Sequence, residues 1–241
     1  MFVHFRSQGF ILKKEDRGET NQLFTIYTKE FGKLEILAKA IRKTSSKLRS
    51  GMELFYLSEI EFIQGKTYKT LTDAILIEKF ESIRKDLKKL SIAYKISELL
   101  NNLISGQEAD KKIWQLLLET FTQLDNWKIK NSLKIIYYYF FWNFISILGY
   151  QPELYNCIFC QNKLMPKELF FSLKEGGVIC HNCFKKTKIS TEKIEPEVIK
   201  ILRIILEKKW QTLSKLKIEL KYIELLKLIS KNSLSFLLEE K

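Results

Sequence analysis

Four cysteines stand in two close pairs, Cys157-Ile158-Phe159-Cys160 and Cys180-His181-Asn182-Cys183, with 19 residues between the pairs. Two residues between thiols let one tight turn offer both sulfurs to a single ion, and two such turns close a tetrahedral four-sulfur shell. The separation of the pairs falls in the zinc-ribbon range, and Gly176-Gly177 supplies the backbone freedom to double the chain back. The spacing therefore predicts a structural Zn²⁺ held by Cys157, Cys160, Cys180 and Cys183. A full set of four sulfurs leaves no open position for water, so such an ion holds a fold together and activates no nucleophile. Four unligated thiols, or an iron site, are the competing readings. His181 is a substitute ligand that fits less well than its neighbouring cysteines and is read as a solvated loop residue.

The second constellation is the run Ala38-Lys39-Ala40-Ile41-Arg42-Lys43-Thr44-Ser45-Ser46-Lys47-Leu48-Arg49. Counting Lys33, it carries six positive side chains, Lys33, Lys39, Arg42, Lys43, Lys47 and Arg49, and the only acid between Lys33 and Arg49 is Glu35. Cations clustered on a projecting loop are what phosphate contact requires; the competing reading is a solvated charged loop. Lys185, Lys186 and Lys188, beside the second cysteine pair, offer another path for a polyanion. The whole chain has 41 Lys+Arg against 28 Asp+Glu, a net charge of +13. Only six of those cations are Arg and Ile is abundant, which an AT-rich coding sequence also produces, so net charge alone does not decide for nucleic acid. Phe24, Tyr27, Phe55, Tyr56 and Tyr68 are candidates to stack on bases, although strand alternation assigns about half of them to an interior.

Catalysis finds little support. The two histidines, His4 and His181, are far apart, and there is no Gly-rich phosphate loop or nucleophile motif. Glu15 with Asp16, Glu59 with Glu61 and Glu239 with Glu240 are the carboxylate pairs that a Mg²⁺-dependent nuclease would need, but close acidic pairs on a charged surface are ordinarily solvated. The expectation is a non-enzymatic binder. The start Met1-Phe2-Val3-His4-Phe5-Arg6 lacks the basic and then apolar pattern of a signal peptide, so a cytosolic protein is expected. The apolar stretch from Ile135 to Leu148 is too short for a span of about 20 residues and carries three tyrosines, Asn143 and Ser146. In a reducing cytosol, paired cysteines favour a metal over disulfides.

The elements that must position these groups change character near Lys79. Before it, short β-branched and aromatic runs, Leu23 to Thr28, Leu34 to Leu37, Leu54 to Phe62 and Thr70 to Leu76, are separated by the turn signals Arg17-Gly18-Glu19, Phe31-Gly32-Lys33, Ser50-Gly51 and Gln64-Gly65-Lys66. About five strands in under 80 residues predict a small closed barrel with consecutive strands as antiparallel neighbours. After it, apolar residues recur at helical spacing through Leu87, Leu90, Tyr94, Leu99 and Leu103, then over about 111–124 and about 129–148. Helical pattern lapses after Pro152 and resumes at Pro196. The resulting expectation is an α+β protein with a barrel over 1–78 and a helical domain over 79–241, the latter interrupted by a zinc element at about 155–186.

The order of these features resembles the bacterial recombination mediator family RecO over most of the chain. The similarity lies in Arg17-Gly18-Glu19, the Thr28 to Gly32 turn, and Ala38-Lys39 followed by Arg42. It continues in Gly149-Tyr150, Pro152-Glu153-Leu154, Phe171-Ser172 and Gly176-Gly177 around the cysteine pairs. One departure is Ala40, where the family has Gly after the Ala-Lys pair. The resemblance implies an N-terminal five-stranded OB-fold barrel and an all-helical C-terminal domain with an inserted four-cysteine zinc element. It also implies single- and double-stranded DNA binding, strand annealing, and action with RecR to load RecA onto DNA coated by single-strand-binding protein. The acidic C-terminal tail of that protein would be a partner, and the nucleoid the place of work. The residues alone leave open an RNA-binding or translation-associated OB-fold and zinc-ribbon protein, or an adaptor that captures an acidic tail.

Overall fold

The computed structural model describes residues 3–65, 67–128, 133–187, 189 and 191–239. The turn residue Lys66, the expected helix start at 129–132, Lys188 and Glu240 lie outside them. The chain divides into two compact units, Met1–Asn126 and Trp127–Lys241.

Five strands, β1 (His4–Arg17), β2 (Asn21–Thr28), β3 (Gly32–Ala38), β4 (Leu57–Ile63) and β5 (Lys69–Glu78), close into a barrel in the order β1-β2-β3-β5-β4. Alternation sends Ile11, Phe24, Ile26, Leu34, Ile36, Ile60 and Phe62 into its interior, where each is essentially inaccessible. Full burial of such side chains supplies about 1.5–3 kcal/mol apiece. Three of the consecutive pairs, β1–β2, β2–β3 and β4–β5, are antiparallel, as expected. The exception is β3 to β4: β3 instead pairs in parallel with β5, through Ile36 with Lys69 and Leu37 with Thr70. The segment between β3 and β4 must therefore cross the barrel end, and the basic loop and a short 3₁₀ turn at Lys47–Gly51 make that crossing. The strand without a clear sequence signal is β1. A bulge between Ile11 and Lys13 shifts its register, and its last turn of chain, Lys13 to Arg17, is charged throughout.

Strand β2 is buried on both faces because helices cover the barrel's outside. Helices α1 (Glu81–Lys85), α2 (Leu87–Leu103) and α3 (Lys111–Asn126) provide that cover. Phe10 projects outward from β1 and meets Trp114 and Phe121 at ring-centroid distances of 5.3 and 5.2 Å. The helical pattern expected after Lys79 begins as two helices separated at Asp86, whose carboxylate accepts the backbone N–H groups of Lys88 and Lys89 and so starts α2. The buried face of α2 is Ile92, Ile96, Leu99 and Leu100; Leu87 points outward, and half-exposed Tyr94 meets the Phe55 ring edge-on at 4.9 Å.

In the second unit, α4 (Lys134–Ile147) is the apolar stretch suspected of being a span, and ten of its residues are buried within the protein. Around it are α6 (Pro196–Leu206), the short α7 (Trp210–Leu213) and α8 (Leu220–Glu239). Its polar groups are matched internally: the Asn143 amide donates to the carbonyls of Tyr139 and Ile205, and Trp142 Nε1 donates to Ser230 Oγ at 3.1 Å. Between α4 and α6 the chain forms β6 (Leu169–Ser172), β7 (Gly177–Cys180) and β8 (Glu192–Ile194), an antiparallel sheet in the order β7-β6-β8, with α5 (His181–Thr187) following β7. No helix among the described residues is long and apolar enough to cross a membrane.

Candidate metal centre and candidate nucleic-acid interface

The first cysteine pair is set by a turn that its own backbone closes. Gln161 N–H donates to Cys157 carbonyl at 2.8 Å, with Gln161 itself left-handed at φ 58°, and Ile158 N–H donates to Val178 at 3.1 Å. The second pair straddles the junction of β7 and α5. Gly177 makes the approach possible, because a Cβ there would lie 2.3 Å from the Glu153 carbonyl oxygen, and its φ of 151° disfavours any side chain.

These turns bring the sulfurs of Cys157, Cys160, Cys180 and Cys183 within 4.8 Å of one another, and those of Cys160 and Cys180 to 3.8 Å. A tetrahedron with arms of ~2.3 Å has edges of ~3.8 Å, so the set fits a thiolate-bound metal ion. Its electrostatics point the same way. Burial opposes ionisation of Cys157, but the backbone N–H groups of Cys160, Cys180 and Phe159 override it and bring that thiol down to about 6. Burial and then the neighbouring sulfurs push Cys183 up to about 12, and burial likewise raises Cys180. Ionising Cys180 and Cys183 beside Cys157 calls for a cation at the centre. His181 is not part of the cluster. Its Nδ1 lies 2.9 Å from a Glu168 carboxylate oxygen, off hydrogen-bond alignment.

The basic loop leaves β3 at Ala38 and re-enters the barrel at β4. Ile41 and Met52 are buried against the barrel interior and pin its two ends. Ala40, at the position where the resembling family has glycine, adopts φ 55°, and its N–H donates to Asn21 Oδ1 at 2.8 Å. The family's glycine thus has a conformational reason, and here an L-residue bears the strain.

Of the six cations, Lys39, Arg42, Lys43, Lys47 and Arg49 are exposed together on this crossing. Lys39, Lys43, Lys47 and Arg49 have no carboxylate partner among the described residues, whereas Arg42 is 3.1 Å from Asp16 on β1. Lys33 stands apart. It is half-buried on β3, and its ammonium group donates to the carbonyls of Asn101, at 2.9 Å, and Ile104 at the end of α2. Beside the loop is a cleft of about 300 Å³ lined by Lys14, Gln22, Ile41, Arg42, Arg49, Met52 and Glu53. Lys14 and Glu53 were not legible as members, since the fold alone brings β1 and the β4 approach to the loop.

Phe24, Tyr27 and Phe55 are buried and cannot stack on bases. Tyr56 and Tyr68 are partly exposed, and Tyr56 carries the Arg84 guanidinium 4.9 Å above its ring. The carboxylate pairs are engaged by cations: Glu15 with Lys13 and Arg17, and Glu59 and Glu61 with Arg6, at 3.5 and 3.1 Å. The side-chain hydrogen bonds from His4, Arg6 and Thr72 hold Glu61 below the usual carboxylate range. Of Glu239 with Glu240, the second lies outside the described residues. Among those residues, the cysteines form the only group of three or more potential ligands arranged to hold an ion.

Comparison with known proteins gives one answer for both units. Residues 1–80 match the model of the recombination protein O N terminal, and residues 84–241 that of the recombination protein O C terminal. The DNA repair protein RecO of Dehalococcoides mccartyi is 32% identical over 236 residues, covering 98% of this chain and 91% of that protein. That of Alkaliphilus metalliredigens is 30% identical over 213 residues, 88% and 85% of the two chains. That of a Thermoanaerobacter species is 27% identical, again over 213 residues, 88% and 84%. A five-stranded barrel, a helical body and a four-cysteine metal site are thus accompanied by sequence similarity along the whole chain, and the chain belongs to the RecO family of DNA repair and recombination proteins.

Proposed function

We propose that the chain is a non-enzymatic recombination mediator that binds single- and double-stranded DNA through the barrel and anneals complementary strands. Together with RecR it helps load RecA onto DNA coated by single-strand-binding protein, whose acidic C-terminal tail it engages. The DNA-binding unit is the barrel at 1–78; the body at 79–241 carries a zinc element at about 155–186. The contact residues are Lys39, Arg42, Lys43, Lys47 and Arg49. Lys33 acts indirectly, by tying β3 to the end of α2.

The observation that carries this reading is the exposure, on one barrel crossing, of four cations without carboxylate partners among the described residues, beside a fifth, Arg42. Their fields add over a surface that a phosphate backbone can follow. Lys far outnumbers Arg among the cations, so binding is electrostatic and weakly dependent on sequence. The ion in the cysteine cluster is zinc, because four thiolates in tetrahedral array suit it, and its task is to hold β7, α5 and the Cys157 turn together. The work is cytoplasmic, at the nucleoid.

A strand-annealing assay tests the function. The chain accelerates pairing of complementary oligonucleotides, and continues to do so when they are coated with single-strand-binding protein. Failure on bare strands, or a preference for RNA over the same DNA sequence, contradicts it.

A further inference from the structure

We propose that the cleft beside the basic loop is a binding subsite for a DNA phosphodiester, and that Glu53, which lines it, holds Lys14 until DNA displaces that carboxylate. The proposal rests on the DNA-binding reading above and adds a residue that opposes binding.

Three cations of different standing surround the cleft. Arg49 has no carboxylate partner among the described residues. Arg42 has Asp16 at the outer edge, 3.1 Å away. Lys14 is closed off by Glu53, its Nζ 2.8 Å from Oε2, with both side chains only 30% exposed. The same Glu53 oxygen is 4.0 Å from Arg84, which is itself anchored on the Leu54 carbonyl at 3.0 Å. A carboxylate held between two cations and beside two more stands where a singly charged phosphate oxygen would gain most. An exposed or half-exposed ion pair contributes only about 0.2–1 kcal/mol, so a phosphate can displace it. Lys14, Arg42 and Arg49 line the cleft together, and their charge selects the backbone phosphate over a neutral base.

Removing either partner breaks the same ion pair, but the two losses have opposite consequences for DNA. Affinity for an unstructured oligothymidylate should rise about threefold in Glu53→Gln and fall about threefold in Lys14→Gln at low salt. In Glu53→Gln the slope of log affinity against log salt should also steepen, by up to about 0.7, because Lys14 then neutralises a phosphate without leaving a carboxylate that recruits a cation. Glu53→Asp, which keeps the charge but shortens the side chain, should give a smaller gain. It supplies a second measurement if Glu53→Gln melts early. Glu59→Gln removes the same charge from the Arg6 pair and controls for net charge; it should leave affinity within about 1.5-fold.

Opposite signs for Glu53→Gln and Lys14→Gln, with the steeper slope, support the subsite. A fall in both variants makes the pair a structural clip and overturns the inference, as does a gain in Glu53→Gln no larger than in Glu59→Gln. Either result leaves the DNA-binding reading standing if Arg49→Glu weakens binding. Unchanged affinity in Arg49→Glu removes both.

Discussion

The cysteine cluster and the basic loop are both sites assembled by turns, yet they differ in how much of each site the chain's local sequence contains. All four sulfurs come from two short turns, and geometry completes the site without outside help. The loop brings five exposed cations, but their electrostatic standing is decided by residues from elsewhere: Asp16 on β1 partners Arg42, and Glu53 before β4 partners Lys14 in the adjoining cleft. Lys33, counted with the loop in sequence, is bound to the end of α2. A closed ligand set can be read from spacing. A charged surface cannot, because ion pairs form across the fold.

The sharpest way to break this comparison is to open the closed site. Cys157→Ser removes one of four ligands, and metal binding and local folding are one equilibrium in such elements. Zinc content of the purified protein should fall from one ion per chain to well below, and the melting temperature by at least about 10 °C, as several kcal/mol lost from a chain of this size implies. The salt dependence of DNA affinity should not change in the protein that stays folded. Full zinc occupancy in Cys157→Ser would mean that the four sulfurs are not the ligand set.

A smaller effect sharpens the loop side. Ala40→Gly relieves a left-handed residue and should stabilise the protein by about 0.5–1 kcal/mol, or about 1–4 °C by calorimetry, once glycine's own entropy is subtracted. A destabilised Ala40→Gly would show that the Asn21 contact, not φ, fixes the loop. A further effect appears only at high pH, on the helix-covered side of the barrel. Burial pushes the Tyr27 hydroxyl up to about 12, above the ~10 of an unfolded chain. Its stabilising contribution is therefore whole below about pH 10 and is lost as pH rises toward 12. Tyr27→Phe should flatten this loss in alkaline melts, while an equally steep decline would place the sensitive group elsewhere.

Much of the fold was legible because it rests on periodicity. The runs at Leu23 to Thr28 and Leu34 to Leu37 became β2 and β3, and the aromatic stretch after Ile135 became the enclosed α4. Strand β1 was obscure because its bulge breaks the alternation that identifies a strand, and the parallel pairing of β3 with β5 was obscure because two residue pairs leave no pattern. Leu87 misled the reading of α2: spacing marks a residue as apolar-face but does not say that the barrel covers it. At the sites, Cys157, Cys160, Cys180 and Cys183 met as expected. The stacking aromatics could not be assigned, since Phe24 faces inward while Tyr27 and Phe55 face outward into helices that the barrel's own sequence does not announce.

The central claim is that DNA follows the loop crossing from β3 to β4, and the most direct test is the salt dependence of single-strand affinity in a Lys39→Glu, Arg42→Glu double variant with zinc content measured alongside. If both side chains touch phosphates, affinity falls and the slope of log affinity against log salt becomes shallower by roughly 1.4, each contact contributing ~0.7 on single strands, while zinc stays at one ion per chain. A double variant that binds nearly as well as the unaltered protein, with the same slope, would contradict the account and move the DNA path elsewhere, to the exposed Lys185 and Lys186 of α5 beside the metal centre.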